Sequence, residues 1–253
     1  MSQIPPPNSA SPEAPAGNSM AGGRAVDAGR GWAWIADGFE LFKKQPGTWI
    51  GMVLVLFVIM VALSVIPVLG AIATFLLMPV FTAGMMLGCQ SLQRDGTLEI
   101  GHLLAGFKTQ AGNLVVVGAL AIVGWIIVML PVIAIVGTGA FLGAARGDAA
   151  GIGAIGASFM LALLVALALS ILVYMALWFA PALVALRGAA PVAALKQSFA
   201  GCLKNIIPFL IYGVVVFVLS VLATIPLALG WLVLGPVLVA SVYVAYRDIY
   251  GEA

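Results

Sequence analysis

A long charge-free run separates Lys204 from Arg247, and no Asp, Glu, Lys or Arg occurs within it. A single helical crossing of a hydrocarbon core of about 30 Å takes about 20 residues, so this run is too long to cross only once. Pro226 and Gly230 interrupt it near its middle, where a proline removes a helix hydrogen bond. The run therefore predicts a membrane hairpin of two spans with both of its ends on one side.

The composition of the chain points to lipid as its main solvent. Hydrophobic residues make up 63% of the chain and charged residues 8%, whereas soluble domains carry about 25% charged residues. This composition excludes a soluble domain, and a net charge of +2 without a basic patch argues against nucleic-acid binding. Cys89 and Cys202 fall at span ends on the side expected to be reducing, so no disulfide is expected.

Three further charge-free runs cover residues 45–93, 109–145 and 149–186. The first is long enough for two spans and the other two for one span each, which makes six in all. We predict an all-α, polytopic membrane protein with spans at about residues 49–66, 71–89, 114–136, 157–180, 206–225 and 231–246. Prolines within or beside these spans predict helix kinks at Pro79, Pro131, Pro181, Pro226 and Pro236.

Residues 1–30 differ from the rest of the chain because they are rich in Pro, Ser, Ala, Gly and Asn. Such a segment has too few bulky apolar side chains to offset the entropy lost on ordering. It also lacks the apolar core of a secretory signal, so targeting is expected to depend on the first span. We predict a disordered N-terminal tail, residues 1–30, and a transmembrane domain, residues 31–251.

Short amphipathic segments precede the spans at residues 31–45, 94–110 and 191–205. In the first, Trp32, Ile35, Phe39 and Phe42 recur at helical spacing. This pattern fits either a helix in the membrane interface or a lead-in helix packed on the bundle, and the sequence leaves both open. A basic residue lies close to the junction between each segment and the span that follows it. The residues predicted to contact lipid are Trp32, Phe39, Lys43, Lys44, Phe107, Lys108, Phe199 and Lys204. The order of short helix, span, proline-containing break and span occurs three times, which predicts a three-fold hairpin repeat.

The basic residues are distributed unequally between the two ends of the predicted spans. If the N terminus is cytoplasmic, the outer side holds only Arg146, with Asp148 beside it, and every other Lys and Arg lies inside. Short cytoplasmic loops of membrane proteins carry an excess of Lys and Arg. We therefore predict that both termini are cytoplasmic.

Three motifs carry a resemblance to a known family: residues 31–46 (GWAWIADGFELFKKQP), Ile66-Pro67 at the end of the first span, and residues 235–251 (GPVLVASVYVAYRDIYG). Over everything after the tail, the chain resembles an uncharacterised family of bacterial six-span inner-membrane proteins. The resemblance implies location in the bacterial inner membrane and supplies no active-site residues. The chain is more loosely similar to the membrane domain that precedes some bacterial glycerophosphodiesterases. No phosphodiesterase domain follows here, so that activity is not expected.

The residues predict no catalytic, cofactor or metal site. No span holds an ionisable group at depth, which ion-coupled and proton-coupled transporters usually need. His102 has no second His or Cys nearby, so a structural or solvated role is expected for it. Gly151, Gly153 and Gly156 match the dinucleotide pattern G-x-G-x-x-G, but no strand precedes them and we expect them in an outer loop.

Three functions stay open at this point. The favoured one is a non-enzymatic protein that acts through the lipid bilayer, a membrane-protein partner or a second copy of itself. A transporter or channel for a neutral or amphipathic solute is the alternative, because proline-broken spans resemble the interrupted helices of transport sites. The third is a membrane-embedded lipid enzyme, for which Glu99 and His102 are the residues to test.

Overall fold

A computed structural model describes residues 22–251 of the chain. Within them the structure has ten α-helices and one 3-10 helix and no strand, so the predicted all-α class is confirmed. The helices are α1 (Arg30–Lys44), α2 (Pro46–Ser64), α3 (Leu69–Arg94), the 3-10 helix (Ile100–Leu104), α4 (Ala105–Thr109), α5 (Ala111–Arg146), α6 (Ala149–Leu177), α7 (Ala180–Arg187), α8 (Pro191–Lys204), α9 (Ile206–Thr224) and α10 (Trp231–Tyr250).

Six segments of this part of the chain are long and apolar enough to cross a membrane: α2, α3, α5, α6 together with α7, α9 and α10. Their bounds differ from the predicted spans, most of all in α6 together with α7 and in α5. This helix has 36 residues, and at a rise of about 1.5 Å per residue it is about 54 Å long, well beyond a hydrocarbon core of about 30 Å. Of the six segments, α3 and α10 are the most buried, and few residues of the other four are buried.

The order of elements repeats three times along the chain. One or two short helices precede two long antiparallel helices in each unit: α1 before α2 and α3, the 3-10 helix and α4 before α5 and α6, and α8 before α9 and α10. The long helices of each unit are joined by short turns, at residues 65–68, 147–148 and 225–230. All the short helices therefore lie at the other end of the bundle, which we call the polar end.

Hydrogen bonds between distant parts of the chain hold the polar end together. Gln45, between α1 and α2, accepts a hydrogen bond from the backbone N–H of Leu98 at 3.0 Å, and its amide donates to the Gly96 carbonyl at 3.2 Å. Tyr250, at the end of α10, donates from its hydroxyl to the Gln197 carbonyl in α8 at 2.8 Å. These bonds link the α1–α2 junction to the segment that precedes the 3-10 helix, and they link the end of α10 to α8.

Residues 22–29 form an ordered segment that packs against α8 and α10. Asn205 is fully buried, and its side chain accepts from the Val26 N–H at 2.8 Å and donates to the Arg24 carbonyl at 2.9 Å. The Arg24 N–H also donates to the Ile249 carbonyl at 2.8 Å. The prediction of a disordered tail is therefore wrong for residues 22–30, because long-range hydrogen bonds order them. Residues 1–21 of the predicted tail lie outside the described residues.

The prediction of a glycine-rich outer loop around Gly151, Gly153 and Gly156 is wrong. α6 begins at Ala149 and includes all three glycines. The Asp148 carboxylate caps the helix by accepting the Gly151 N–H at 2.8 Å, which satisfies one of the donors that a helix N-terminus leaves unpaired. Only Gly147 and Asp148 remain between α5 and α6.

The five prolines predicted to kink spans occupy two kinds of position. Pro79, Pro131 and Pro236 lie inside α3, α5 and α10. Pro181 lies in the first turn of α7, and Pro226 lies in the turn between α9 and α10. These last two prolines mark helix ends and not kinks, because proline fits a first helical turn and a turn better than a helix interior.

Candidate functional site

The structure puts the residues predicted to contact lipid at the polar end. Trp32 is 58% exposed, and Phe39 and Phe107 are each 41% exposed, whereas Phe199 is half-buried. The lysines of this set are exposed: Lys43, Lys44, Lys108 and Lys204. Apart from Phe199, these side chains are therefore exposed at the surface of the bundle, and their contact with lipid stays a prediction.

The apolar set that recurs along α1 is divided, because only Ile35 and Phe42 of it belong to the buried face. Trp34 is fully buried and Leu41 nearly so, whereas Trp32 and Phe39 face outward. α1 packs against α9 and α10, with the Trp34 ring 5.2 Å from the Phe209 ring in α9. The sequence left open a helix in the membrane interface and a helix packed on the bundle. In the structure α1 packs on the bundle, and it also has an outward face with apolar residues.

Asp248 in α10 joins α1 to the bundle through two hydrogen bonds to the same oxygen. Its Oδ2 accepts from Arg30 Nε at 2.6 Å and from Trp34 Nε1 at 2.8 Å. Arg30 also forms an ion pair with Asp37, 3.2 Å away. The hydrogen bond to Asp248 raises the pKa of the Arg30 guanidinium above its ordinary value, although burial acts in the opposite direction. The cluster fixes the position of α1, and sequence reasoning missed it because its members lie far apart in the chain.

A small polar cleft of about 230 Å³ lies at the polar end between α3, α7 and α10. Its lining residues are Gln90, Gln93, Arg94, Leu186, Tyr243, Tyr246 and Arg247. Arg187 stands beside it, donating from Nε to the Tyr246 hydroxyl at 3.1 Å, with its guanidinium carbon 5.9 Å from the centroids of the Tyr246 and Tyr250 rings. The lining offers amide, phenol and guanidinium groups, all of which can donate hydrogen bonds.

Ser198 in α8 stabilises the break between α6 and α7. It is fully buried, and its hydroxyl donates to the Met175 carbonyl at 2.7 Å and accepts from the Phe179 N–H at 2.9 Å. Pro181 cannot donate a backbone hydrogen bond, so a helix that continued through this point would lose a bond in any case. The serine hydroxyl thus pairs with one backbone N–H and one carbonyl that the break leaves without a helical partner. In the sequence, Ser198 could have been noticed as a polar residue on an otherwise apolar helix face.

A larger cleft, of about 440 Å³, opens on the side of the bundle where the fourth span is broken. We call it the lateral cleft, and its lining residues are Thr74, Phe75, Met78, Pro79, Thr82, Val117, Ala121, Trp125, Tyr174, Leu177, Trp178 and Pro181. The Trp125 and Tyr174 rings pack edge to face with their centroids 5.3 Å apart. Trp178 Nε1 is buried and has no hydrogen-bond partner within residues 22–251. Of these residues, the sequence analysis had singled out only Pro79 and Pro181.

Glu99 and His102, the residues to test for a lipid enzyme, contact each other at the polar end. The Glu99 N–H donates to His102 Nδ1 at 3.0 Å, and this contact belongs to a capping box at the start of the 3-10 helix. Cys89 and Cys202 are both free and buried. Burial raises the pKa of the Cys202 thiol to about 12, so it stays protonated near neutral pH. In the described part of the chain, no group of three His, Cys, Asp or Glu residues could hold a metal ion.

Comparison with known proteins places the chain among membrane proteins. No family model matches it. No solved structure matches it either. The chain is similar to a probable inner membrane protein of Burkholderia thailandensis, with 29% identity over 258 aligned residues that cover 89% of this chain and 93% of the relative. The predicted likeness to bacterial inner-membrane proteins is thus confirmed, while the looser likeness to the membrane domain of glycerophosphodiesterases stays a prediction. The chain is a multi-pass, all-α protein of the inner membrane, similar along most of its length to a probable bacterial inner membrane protein.

Proposed function

We propose that the protein is non-enzymatic and acts by association, and that its first association is with anionic lipid at the polar end. The observation that supports this best is the outward face of α1, where Trp32 and Phe39 are exposed beside Lys43 and Lys44. Aromatic rings favour the depth of the lipid headgroups, and lysines attract anionic headgroups. A membrane-protein partner and a second copy of the chain are the other associations that the same exposed surface could serve.

The proposal includes an orientation in which the polar end and both termini are cytoplasmic. The basic residues at that end are Arg24, Arg30, Lys43, Lys44, Arg94, Lys108, Arg187, Lys196, Lys204 and Arg247. Arg146, at the end of α5, is the one base of the opposite end, and Asp148 follows it in the sequence. An excess of Lys and Arg in short loops sets the cytoplasmic side of a membrane protein.

Topology reporters test this orientation. Fusions of alkaline phosphatase, which is active only outside the cytoplasm, should be active after Gly147 and inactive after Arg187 and after Gly251. Green fluorescent protein fused at the same sites should give the reverse pattern. An active phosphatase after Arg187 together with an inactive one after Gly147 would invert the orientation and remove the basis for lipid contact at the inner leaflet.

The outward face of α1 has the arrangement expected of a membrane-contacting surface. Lys43 Nζ lies 5.3 Å from the centroid of the Phe39 ring and 2.7 Å from Glu40 Oε1. The Phe39 ring stacks on Phe42, which is buried, so Phe39 is held in place from behind. Each base near an anionic surface contributes on the order of 1 kcal/mol. Several bases at one end therefore add up to a substantial preference for anionic lipid.

Replacing the exposed lysines of the polar end with glutamine should weaken this association only where anionic lipid is present. The variant carries Lys43→Gln, Lys44→Gln, Lys108→Gln and Lys196→Gln, and it keeps Lys204, whose ammonium group donates to the Gly23 carbonyl at 2.8 Å. In nanodiscs with phosphatidylglycerol, hydrogen exchange of α1, α4 and α8 should become at least severalfold faster than in the wild type. In nanodiscs of phosphatidylcholine the exchange rate should change little, because this lipid has no net charge that would attract the lysines.

Two controls separate lipid contact from other effects of the lysines. Arg146→Gln, which removes the base of the opposite end, should change exchange at the polar end in neither lipid. Phe39→Ser should speed exchange of α1 in both lipids, because an apolar contact is lost whatever the headgroup. If the glutamine variant changes the hydrogen-exchange rates equally in the two lipids, the lysines serve only to orient the protein in the membrane, and the proposed association is wrong.

A second candidate function, transport of a neutral or amphipathic solute, is supported by the lateral cleft. The cleft adjoins the break between α6 and α7, and Pro79 and Pro181 both line it. Broken helices near the middle of a membrane are common at transport sites. Flux of labelled solutes into proteoliposomes distinguishes the two functions, because an associating protein raises no flux above that of empty liposomes.

A further inference from the structure

We propose that the small polar cleft between α3, α7 and α10 binds one phosphate group through the guanidiniums of Arg94 and Arg247, which both line it. The cleft shares no residue with the outward face of α1, on which the proposed lipid association depends. That association is a diffuse attraction of several lysines to a charged surface, whereas the cleft is a site for a single group. The inference therefore goes beyond the proposed function and holds or fails independently of it.

Three helices end beside this cleft, and each has an arginine in its last turn: Arg94 in α3, Arg187 in α7 and Arg247 in α10. A helix C-terminus carries about half a negative charge, and a guanidinium carries a full positive charge. Part of the charge of each arginine therefore stabilises its own helix end, and a positive remainder is left beside the cleft. Such a remainder favours an anion as ligand.

Carboxylates do not contribute to the lining of the cleft in the part of the chain that the structure describes. Asp248 lies next in the sequence to one of the two arginines, but its carboxylate accepts hydrogen bonds from Arg30 and Trp34. Asp95, which follows α3, is exposed and does not line the cleft. The remaining lining groups are amides, phenols and a leucine, so the lining brings positive charge together with neutral polar groups.

The donors of the lining match the oxygens of a phosphate. A guanidinium presents five N–H donors in a planar fork, which suits contact with two phosphate oxygens at once. One or two contacts within the protein leave further donors of such a group for a ligand. Gln90, which is half-buried, adds the N–H donors of a neutral amide. A phosphate can therefore be bound here by charge and by hydrogen bonds together.

The cleft is small, and one of its walls is held in position before a ligand arrives. Its volume of about 230 Å³ lies below the range of about 300–1,000 Å³ that pockets for larger ligands occupy, so it suits one compact group. Arg187 donates from Nε to the hydroxyl of the fully buried Tyr246 at 3.1 Å and from its other nitrogen to the Tyr250 carbonyl. A wall held in this way loses little conformational entropy on binding.

A phosphate can reach this end of the bundle from two sources. A phospholipid headgroup presents its phosphate at the depth where the spans end, and a soluble phosphate compound presents one from the aqueous side. Arg94 is exposed and Arg247 is half-buried, so both sources have access to at least one guanidinium. The recognised chemistry is the same in both cases, and the experiment distinguishes them.

Calorimetric titration in a non-ionic detergent tests the proposal. The probes are dihexanoyl phosphatidic acid, dihexanoylglycerol, which has the same chains and no phosphate, and inorganic phosphate. Native mass spectrometry counts the bound molecules. We expect one phosphatidic acid per chain, with a Kd about tenfold or more below that of dihexanoylglycerol. Displacement by inorganic phosphate indicates a soluble phosphate compound as occupant, whereas phosphatidic acid that resists displacement indicates a lipid headgroup.

Single charge removals test the role of the guanidiniums. Arg94→Gln should raise the Kd for phosphatidic acid about tenfold or more, the change expected for one hydrogen bond between charged groups. Lys44→Gln is the matched control, because Lys44 is also the exposed last residue of its helix but does not line the cleft. Its Kd should stay within about twofold of the wild-type value, because single exposed charges contribute little.

The variant with four lysines replaced, described above, separates this site from the proposed lipid association. It keeps both guanidiniums of the cleft and should still bind one phosphatidic acid per chain. The lipid association can then fail in nanodiscs while the cleft still binds its probe, and the reverse result is equally distinguishable.

A filled cleft tests the location. Leu186→Trp places a larger side chain in the lining and should abolish binding of one phosphatidic acid per chain. Leu203→Trp makes the same change at an exposed position of α8 outside the cleft and should leave the Kd unchanged. Size-exclusion profiles and thermal unfolding check that each variant is folded. Equal Kd values for folded Arg94→Gln and Lys44→Gln, or no preference of the wild type for phosphatidic acid over dihexanoylglycerol, would overturn the proposal.

Discussion

Replacing Gly38 with alanine should destabilise the protein by about 1–3 kcal/mol, although it adds only a methyl group. A Cβ at Gly38 would lie 2.8 Å from the Ser241 nitrogen and 2.9 Å from the Val237 carbonyl oxygen, both backbone atoms of α10. Backbone cannot rotate away as a side chain can, so α1 as a whole must move off α10. That movement also strains the contacts of Trp34 and Leu41, which α1 buries.

The same substitution at Gly47 provides the matched control. Gly47 lies in the first turn of α2, and a Cβ there would meet no atom within 4 Å. Alanine is favoured over glycine in a helix by up to about 1 kcal/mol, so Gly47→Ala should be neutral or stabilising. The free energy of unfolding in detergent, from denaturant titration followed by near-ultraviolet circular dichroism, gives both values. Equal changes for the two variants would show that α1 does not dock through Gly38.

The sequence predicted the six membrane segments because lipid imposes a simple rule on them. A helix that crosses hydrocarbon must be long, apolar and free of charge, and each of these properties can be counted along a chain. The repeated order of short and long helices follows from the same count together with the positions of prolines. Both predictions could be made without information on how the helices pack against one another.

The sequence could not decide whether the apolar residues of α1 face lipid or the bundle, because apolar spacing gave two answers. Trp32 and Trp34 lie on different faces of the helix, and the pattern with Trp32 has the more regular spacing. The deciding residues are Gly31 and Gly38, which permit backbone contact with α9 and α10 and add nothing to a hydrophobic pattern. Close helix approach through small residues is a property of two surfaces together, so one sequence segment does not reveal it.

Two further misses have tertiary causes of the same kind. Residues 22–29 are ordered by the buried amide of Asn205, far away in the sequence, together with the packing of Val26 on the core. Glycines at the start of α6 indicated a loop, but Gly151 lies against the Gly143 carbonyl in α5, where a Cβ would be 2.5 Å from that oxygen. The lateral cleft depends likewise on a serine in α8 that completes a break in another helix.

Replacing Asp248 with alanine should have the largest effect among single polar substitutions at the polar end. Its carboxylate is the acceptor for Trp34 Nε1 and the closer of two ion-pair partners of Arg30. Trp34 is fully buried, so its indole N–H would be left unpaired, which costs about 1–3 kcal/mol. Loss of the partly buried ion pair adds to this, and we expect a total of about 2–4 kcal/mol.

Two companion variants divide this cost between its causes. Asp248→Asn keeps an oxygen for Trp34 and removes the charge that Arg30 pairs with, so it should cost less than Asp248→Ala. Asp37→Ala removes the other partner of Arg30, whose side chain is 49% exposed, and should cost under about 1 kcal/mol, as exposed ion pairs do. Tryptophan fluorescence and unfolding in detergent would report all three. If Asp37→Ala and Asp248→Ala cost the same, then α1 is held by charge alone, and the buried indole contributes nothing to its docking.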